Sequence, residues 1–369
     1  YAGTYGTNGF YLPFEQDYTV EGFSTVTYEG NSSTNHYVGG TGFSPDVVWI
    51  KARSSGYNHQ FYDSVRGANE VLETDTTNAD ETRADGLLSF DTDGFSLGSQ
   101  IRSNNSGQTF VAWSWDMGGT TASNTNGSIT SSVRANTAYG QSIVSYSGTG
   151  ANATIGHGLA SAPEVVILKN RDDGSKNWNS IFTVLGNNYI DLNRTNATYT
   201  GSTYFQNTAP TSTVFSVGTA GSSNASSQDF IAYCFHSVTG YSSFGSYSGS
   251  GSSGNAITTG FAPAFVMVKN TTVAQGWVMV DNTRSPTNPA NLILEANDSS
   301  AESAYGTANR NIDFDANGFT IKTTAAGGTT ALNASGSTYI YAAFADTREY
   351  AYWYDQSGNN NDWTSEGGL

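Results

Sequence analysis

Cysteine is almost absent from this chain. Cys234 stands alone among 369 residues, so no intrachain disulfide can form and the fold must hold without covalent staples. Charge is scarce too. Charged residues make up 12% of the chain, about half of the ~25% usual for globular proteins. What charge there is leans acidic, with 15 basic residues against 31 acidic ones and a net charge of −16. Such a chain repels a phosphate backbone and an anionic membrane surface, so neither nucleic acid nor membrane is an expected partner. No apolar run approaches the ~18 residues of a membrane span, and no membrane insertion is expected. No signal-peptide pattern opens the chain, and residue 1 is Tyr, which leaves a processed chain or a fragment open. Helical periodicity is missing as well. The best helix candidate, NADETRADGLLSF from Asn78, is short and broken by Gly86.

Glycine (42), tyrosine (22) and phenylalanine (19) are plentiful, which gives many turns and ample aromatic material for a core. The chain also repeats itself. FSPDVVWIKA from Phe43, SAPEVVILKN from Ser161 and FAPAFVMVKN from Phe261 are versions of one strand. Lys51, Lys169 and Lys269 close it, 118 and 100 residues apart. Tyr28, Tyr146 and Tyr247, each followed by x-Gly, precede Pro45, Pro163 and Pro263 by 17, 17 and 16 residues. Downstream, DGFSLG from Asp93 matches TVFSVG from Thr213 and NGFTIK from Asn317. NSGQTFVAWSW from Asn105 matches NASSQDFIAYCF from Asn224 and NASGSTYIYAAF from Asn333. Landmarks recurring in one order define three related units of about 90–100 residues.

Each unit reads as strands. STVTYEG and SIVSYSG alternate with period two, the mark of a half-buried strand. Val47-Val48-Trp49-Ile50 has no polar face, which suits a strand covered on both sides. The prolines read as first strand positions, where a missing N–H does least harm, and the lysines as the points of return to water. In FVAWSW, alternation puts Phe110 on one face and Val111, Trp113 and Trp115 on the other. Asp93-Gly94 and Asn317-Gly318 are hairpin signals. The expectation is an all-β protein of three tandem β-sandwich, jelly-roll-like units. The boundaries read as an N-terminal arm at 1–24, sandwiches at 25–117, 140–238 and 239–346, a Gly/Ser/Thr-rich linker at 118–139, and a polar tail at 347–369. The first joint should be the more flexible of the two.

Several motifs suggest chemistry, and each has a plainer reading. GFSLG, Gly94 to Gly98, fits a nucleophile elbow, but that elbow needs a strand-to-helix turn. Ser96 alternates with Phe95 and Leu97, as a strand residue does. DFDANG from Asp313 begins like an EF-hand loop, yet position twelve is Thr324 where a bidentate carboxylate is required. Asp91, Asp93, Asp313 and Asp315 therefore stand as weak calcium candidates, with a hairpin turn as the preferred reading. His36, His59, His157 and His236 are far apart and have no zinc spacing. Cys234, between Tyr233 and Phe235, reads as a buried structural thiol. Asp172-Asp173 could supply carboxyls to glycoside hydrolysis, which needs a pair ~5–10 Å apart in a cleft, but a turn is simpler. Trp49, Trp113, Trp115, Trp178 and Trp277 read as core. Trp353 and Trp363, in the polar tail, are the better binding candidates. No cofactor is expected.

The landmarks resemble a known group. YSGTGANATIGHGLASAPEVVILKNR (Tyr146 to Arg171), FDTDGFSLG and NASGSTYIYAAFA (Asn333 to Ala345) are similar to tandem units in virion structural and tail-fibre-like proteins of marine tailed bacteriophages. The likeness runs over residues 9–363. It implies β-sandwich repeats in a non-enzymatic virion protein, assembled in the host cytoplasm and exposed on the particle. The expected partners are other virion subunits, a homo-oligomer (a trimer by analogy) and host-surface glycan. No catalytic residues are implied. DQSGNNNDWT (Asp355 to Thr364) also resembles the opening of concanavalin A-like lectin domains. The third unit reads TTGFAP where the second has HGL, so His157 is not a shared functional residue. Two alternatives stand beside this reading: a polysaccharide depolymerase and a secreted carbohydrate-binding adhesin.

Overall fold

The repeated strand determines the architecture because neither of its faces can meet water. A computed structural model describes residues 22–304, 310–323 and 331–346. In it, Val48, Ile50 and Ala52 face a core private to the first unit, while Val47 and Trp49 face a second core shared by all three units. The same parity holds for Val166 and Leu168 against Val165, and for Val266 and Val268 against Phe265 and Met267. Two-sided burial removes the alternation that would otherwise show in these strands.

Each unit is a sandwich of a large and a small antiparallel sheet. In unit 1 the large sheet runs Phe23–Glu29, Thr109–Trp115, Val47–Ala52, Gln60–Asp63, Gly67–Leu72, Glu81–Thr82. The small sheet runs His36–Gly39, Gly94–Leu97, Leu87–Asp91. Unit 3 repeats this plan, from Ser242–Ser248 and Thr338–Phe344 outward, with Asn255–Thr258, Gly318–Ile321 and Ile312–Asp315 as its small sheet. Unit 2 has an eight-stranded large sheet and a small sheet of only Ala153–Gly156 and Val214–Val217. The all-β sandwich expectation therefore holds. The strands Thr109–Trp115, Asp229–Phe235 and Thr338–Phe344 each lie between the unit's first strand and its repeated strand. Within them Val111, Trp113 and Trp115 face the shared core, and Phe110 and Ala112 the private one.

The repeat is faithful to atomic detail. Tyr28 stacks on Phe110, Tyr146 on Phe230 and Tyr247 on Tyr339, with centroids 5.2, 5.1 and 4.9 Å apart and interplanar angles of 13°, 11° and 10°. Their hydroxyls donate to the carbonyls of Ser103, Ser223 and Leu332. Asn104, Asn224 and Asn333 each accept an N–H from the loop after that tyrosine. The residue equivalent to Asn224 is thus Asn104, one position before the Asn105 that the sequence alignment chose.

Several expectations need correction. The segment 118–139 is not a slack linker. It forms Ala122–Asn124 and Ser131–Asn136, which pair with each other and extend the large sheet of unit 2. Ile129 and Val133 are buried there. Gly118 has φ +88° and lies so close to the Ala135 carbonyl that a Cβ would collide with it. Glycine marks backbone contact at this point, not flexibility. The second joint is also hydrogen-bonded, through Val238 N–H to Ser242 O (3.1 Å). Phe23 already belongs to the first strand, inside the stretch read as an arm. The helix candidate from Asn78 is extended, with strands at Glu81–Thr82 and Leu87–Asp91. The prolines lie two residues before their strands, which start at Val47, Val165 and Phe265. The hairpins at Gly94 and Gly318 form as expected.

Shared burial makes the three sandwiches one body. The accessible surface is 14475 Å². A compact 39 kDa protein exposes roughly 14,000 Å², and three separate 13 kDa units would expose about 19,000 Å².

Candidate functional site

The repeated lysines are buried, contrary to the reading that they return the chain to water. Lys51, Lys169 and Lys269 are all 0% exposed, because they share parity with the residues that face the neighbouring unit. Their ammonium groups donate to backbone carbonyls: Lys51 to Ala52 and Ser55, Lys169 to Asn170, Lys269 to Thr195 and Asn270. Burial lowers Lys51 and Lys169 to about 8, against partial support from acids such as Asp75 and Asp173, and lowers Lys269 to about 7.

Each lysine marks a seam, and the three seams follow a cyclic order in which unit 2 reaches unit 1, unit 1 reaches unit 3 and unit 3 reaches unit 2. At the first seam, Trp178 Nε1 donates to Glu73 O at 3.0 Å. At the third, Trp277 Nε1 donates to Asp191 O at 3.0 Å. At the second, His59 takes the place of tryptophan. Its Nδ1 accepts from Trp49 Nε1 at 2.8 Å, so Nε2 carries the proton and donates to Glu295 O at 3.0 Å. Burial holds His59 well below the ordinary value of 6.5, with Lys51 adding to the shift. Three backbone bonds repeat the order: Asp80 N–H to Arg171 O, Glu302 N–H to Arg53 O, and Thr198 N–H to Thr271 O. Such a head-to-tail ring of non-identical contacts closes on itself, as a cyclic trimer does.

Two seams carry an equivalent buried ion network. Asp63 pairs with Arg66, and Asp281 with Arg284, with side chains 0% exposed in both pairs. Arg66 continues to Asp80, which also binds Arg171 of unit 2. Arg284 continues to Glu302, which binds Arg53 of unit 1. Tyr233 Oη donates to Asp63 at 2.6 Å, and Trp113 Nε1 donates to Asp281 at 3.1 Å. Burial opposes the charge on Arg284, but Asp281 and Glu302 more than offset it and leave its pKa raised. The motif was visible in the sequence as D-x-x-R, twelve residues after Lys51 and after Lys269, and sequence reasoning missed it. At the third seam Phe182 occupies the aspartate position, opposite Val165 as Asp63 is opposite Val47. The residue equivalent to Tyr233 and Trp113 is Ala342. A large apolar side chain faces a small one where the other seams pair an acid with a donor.

Where the sheets converge, an apolar cavity of about 40 Å³ remains, walled by residues such as Trp115, Phe182, Phe235, Met267, Ala342 and Phe344. An apolar cavity that binds benzene measures ~150 Å³, so this one is a packing gap.

The motifs singled out in the sequence resolve as follows. Ser96 lies in a strand and donates to Asp91 at 2.7 Å. Asp91 also accepts from Ser89, Asp93 accepts the Gly42 N–H, Asp313 pairs with Lys322, and Asp315 accepts from Thr320. Asp91, Asp313 and Asp315 serve their own hairpins and Asp93 ties its hairpin to the loop at Gly42, and no group of three or more His, Cys, Asp or Glu side chains among the described residues is gathered to hold a metal ion. Asp172 and Asp173 form a turn on Asn170, both N–H groups donating to its Oδ1 at 3.0 Å. His157 is buried, accepts from Leu159 N–H and faces Thr211 O. His36 meets Asn104, and His236 its own neighbour Ser237. Cys234 is 0% exposed, and burial raises its thiol pKa. All five repeat tryptophans are buried. Trp353 and Trp363 lie outside the described residues.

No curated protein and no solved structure matches the chain. One family model does, over residues 19–348, a stretch that takes in all three units and all three seams. The chain belongs to the DUF7483 family, a domain of unknown function.

Proposed function

We propose that the protein is a non-enzymatic structural component of a bacteriophage virion, a tail fibre, appendage or decoration subunit, that assembles with other virion subunits and adheres to host-surface glycan. The observation that supports this reading best is the closure of three units around one apolar core. Tryptophans, lysines and aspartate–arginine pairs are drawn inside it, where they lock one unit to the next. A block of this kind presents turns rich in Gly, Ser, Asn and Thr to its surroundings and acts through shape and many weak contacts. Multivalent display on a particle would raise the effective strength of each contact. The likeness to phage virion repeats points the same way.

Imaging of intact particles, with mass spectrometry of their proteins, tests the reading. Density and peptides for this chain are expected in the purified virion, and their absence would sink the proposal. A reducing-end assay on host capsule or cell-wall polysaccharide is expected to show no release. Release above background would favour a depolymerase instead.

A further inference from the structure

The first strand of each unit has one side that can take a further strand, and the units differ in what occupies it. In unit 2, Ser131–Asn136 runs along Gln141–Ser147, from Asn136 opposite Gln141 to Ser132 opposite Ser145. This position therefore accepts an added strand. In unit 1, Phe23–Glu29 has no such neighbour among the described strands. Its Thr25 N–H is held by Asp346 Oδ2 at 3.2 Å, and it ends in the exposed Glu29, a charge of the kind that keeps sheet edges apart. In unit 3, Ser242–Ser248 has neither a covering strand among the described residues nor any charged residue or proline.

The backbone groups of this edge can be followed one by one. Tyr241 O accepts from Ala345 N–H, and Gly249 N–H donates to Ser337 O. The alternation of an antiparallel ladder then turns Ser243, Gly245 and Tyr247 inward to Thr338–Phe344, and Ser242, Phe244, Ser246 and Ser248 outward. Part of the outward set is held within the chain. Ser242 exchanges both its bonds with Val238, at 2.9 and 3.1 Å. Phe244 N–H donates to Ser237 Oγ at 3.1 Å, and Ser248 O accepts from Asn255 Nδ2 at 2.9 Å. Phe244 O, Ser246 N–H, Ser246 O and Ser248 N–H remain, with no hydrogen-bond partner among the described residues. Ser246 and Ser248 are exposed, so the edge is open there.

We propose that this edge binds the same edge of a second copy of the chain, as an antiparallel pair centred on Ser246. The free groups are self-complementary. In such a pair Ser246 N–H meets Ser246 O of the other copy, in both directions, and Ser248 N–H meets Phe244 O, again in both directions. The groups that this register leaves over are Phe244 N–H and Ser248 O, the two already satisfied at home. A shift of register toward Ser242 would call on the held Phe244 N–H. A shift toward Ser248 would leave Phe244 O without a donor. The side chains that would meet across the axis are serines, small enough for close approach. The contact joins two large sheets into one, by strand addition of the kind unit 2 makes within itself. It is short, so the dimer is weak and reversible. The inference stands apart from the virion role proposed above.

Sedimentation velocity of the full chain, from low micromolar to near-millimolar concentration, is the test. A monomer that shifts reversibly toward a dimer as concentration rises is expected. Ser246→Lys sets two like charges directly opposite each other, and Ser246→Glu does the same with the other sign. Each variant should keep the wild-type melting temperature, since Ser246 is exposed, and each should stay monomeric throughout. An equimolar mixture of S246K and S246E sets opposite charges across the axis and should restore the dimer, which a contact elsewhere on the surface would not do. A wild-type monomer at every concentration, a trimer, or a dimer that both substitutions leave intact would overturn the proposal. So would a mixture that stays monomeric.

Discussion

Lys269 gives the sharpest test of the seams. Its ammonium lies 0% exposed and donates to Thr195 O and Asn270 O. Burial alone lowers it from 10.5 to about 7. Between those values the unfolded chain binds a proton that the folded chain does not, so stability rises with pH across the window. The contribution is complete above about 10.5 and is lost as pH falls through about 7. Working the two titrations from pH 7 to pH 9.5 gives a gain of about 3 kcal/mol from this one side chain, at ~1.36 kcal/mol per pKa unit. Lys269→Met keeps the stem and removes the titration. The stability difference between wild type and K269M should therefore move by about 3 kcal/mol in favour of wild type over that range. With unfolding entropy near 2.1 cal/mol/K per residue, this equals about 4 °C in relative Tm. Lys51, Lys169 and the buried tyrosines titrate in both proteins and cancel in the difference. Thermal melts of both proteins at pH 7.0, 8.0 and 9.5 are the assay. The sign at any single pH depends on how the methionine packs, but the trend does not. A Tm difference independent of pH would refute a buried, depressed lysine at this seam.

Further outcomes follow from the same seams. Asp281→Ala leaves Arg284 buried beside Trp113 without its carboxylate, and should cost about 3–5 kcal/mol in denaturant unfolding. At the third seam, Phe182→Ala should cost about 3–5 kcal/mol and Ala342→Leu about 1–3 kcal/mol. The double variant should lose clearly less than the sum, and strict additivity would show that the two side chains do not share one space. Cys234, buried and with its thiol pKa raised, should resist a thiol reagent in the native protein and react once in denaturant; fast native reaction would contradict its burial. An isolated unit 2 exposes the face that carries Ile143, Val165 and Tyr233. Analytical ultracentrifugation should find it associated or aggregated, and a stable monomer would contradict the shared core.

How much of this was legible in the sequence depends on what each residue type reveals about its surroundings. An apolar run such as Val47-Val48-Trp49-Ile50 has one physical meaning, burial on both faces, and it pointed to the two cores before any coordinate. A lysine after such a run has two meanings. Its stem can lead the charge to water or fold the amine onto carbonyls at a packed seam, and the letters are identical. The glycines of 118–139 were ambiguous in the same way, since flexibility and close backbone contact both call for a residue without a side chain. The D-x-x-R recurrence is legible as spacing but not as burial, since acid and arginine letters ordinarily mark solvated surface and only the closed seam takes Asp63–Arg66 and Asp281–Arg284 inside.

The departure of unit 2 from its neighbours was hidden for a different reason. Repeats are found by what the copies share, and the shared residues here serve packing: the stacked tyrosines, the asparagine clamps, the seam donors. A feature present once has no second copy to be aligned with. It shows only as an exception, through a missing strand and two left-handed residues that no glycine matches. Pseudosymmetry therefore acts as a filter. Positions that obey it are explained by closing the ring, and Phe182 opposite Ala342 shows that some exceptions are explained by packing as well. The exception at Gln206 is of the same kind: it caps the turn Ser202–Phe205 in left-handed backbone, its N–H donating to Ser202 O and its Nε2 to the carbonyls of Ala153 and Val217.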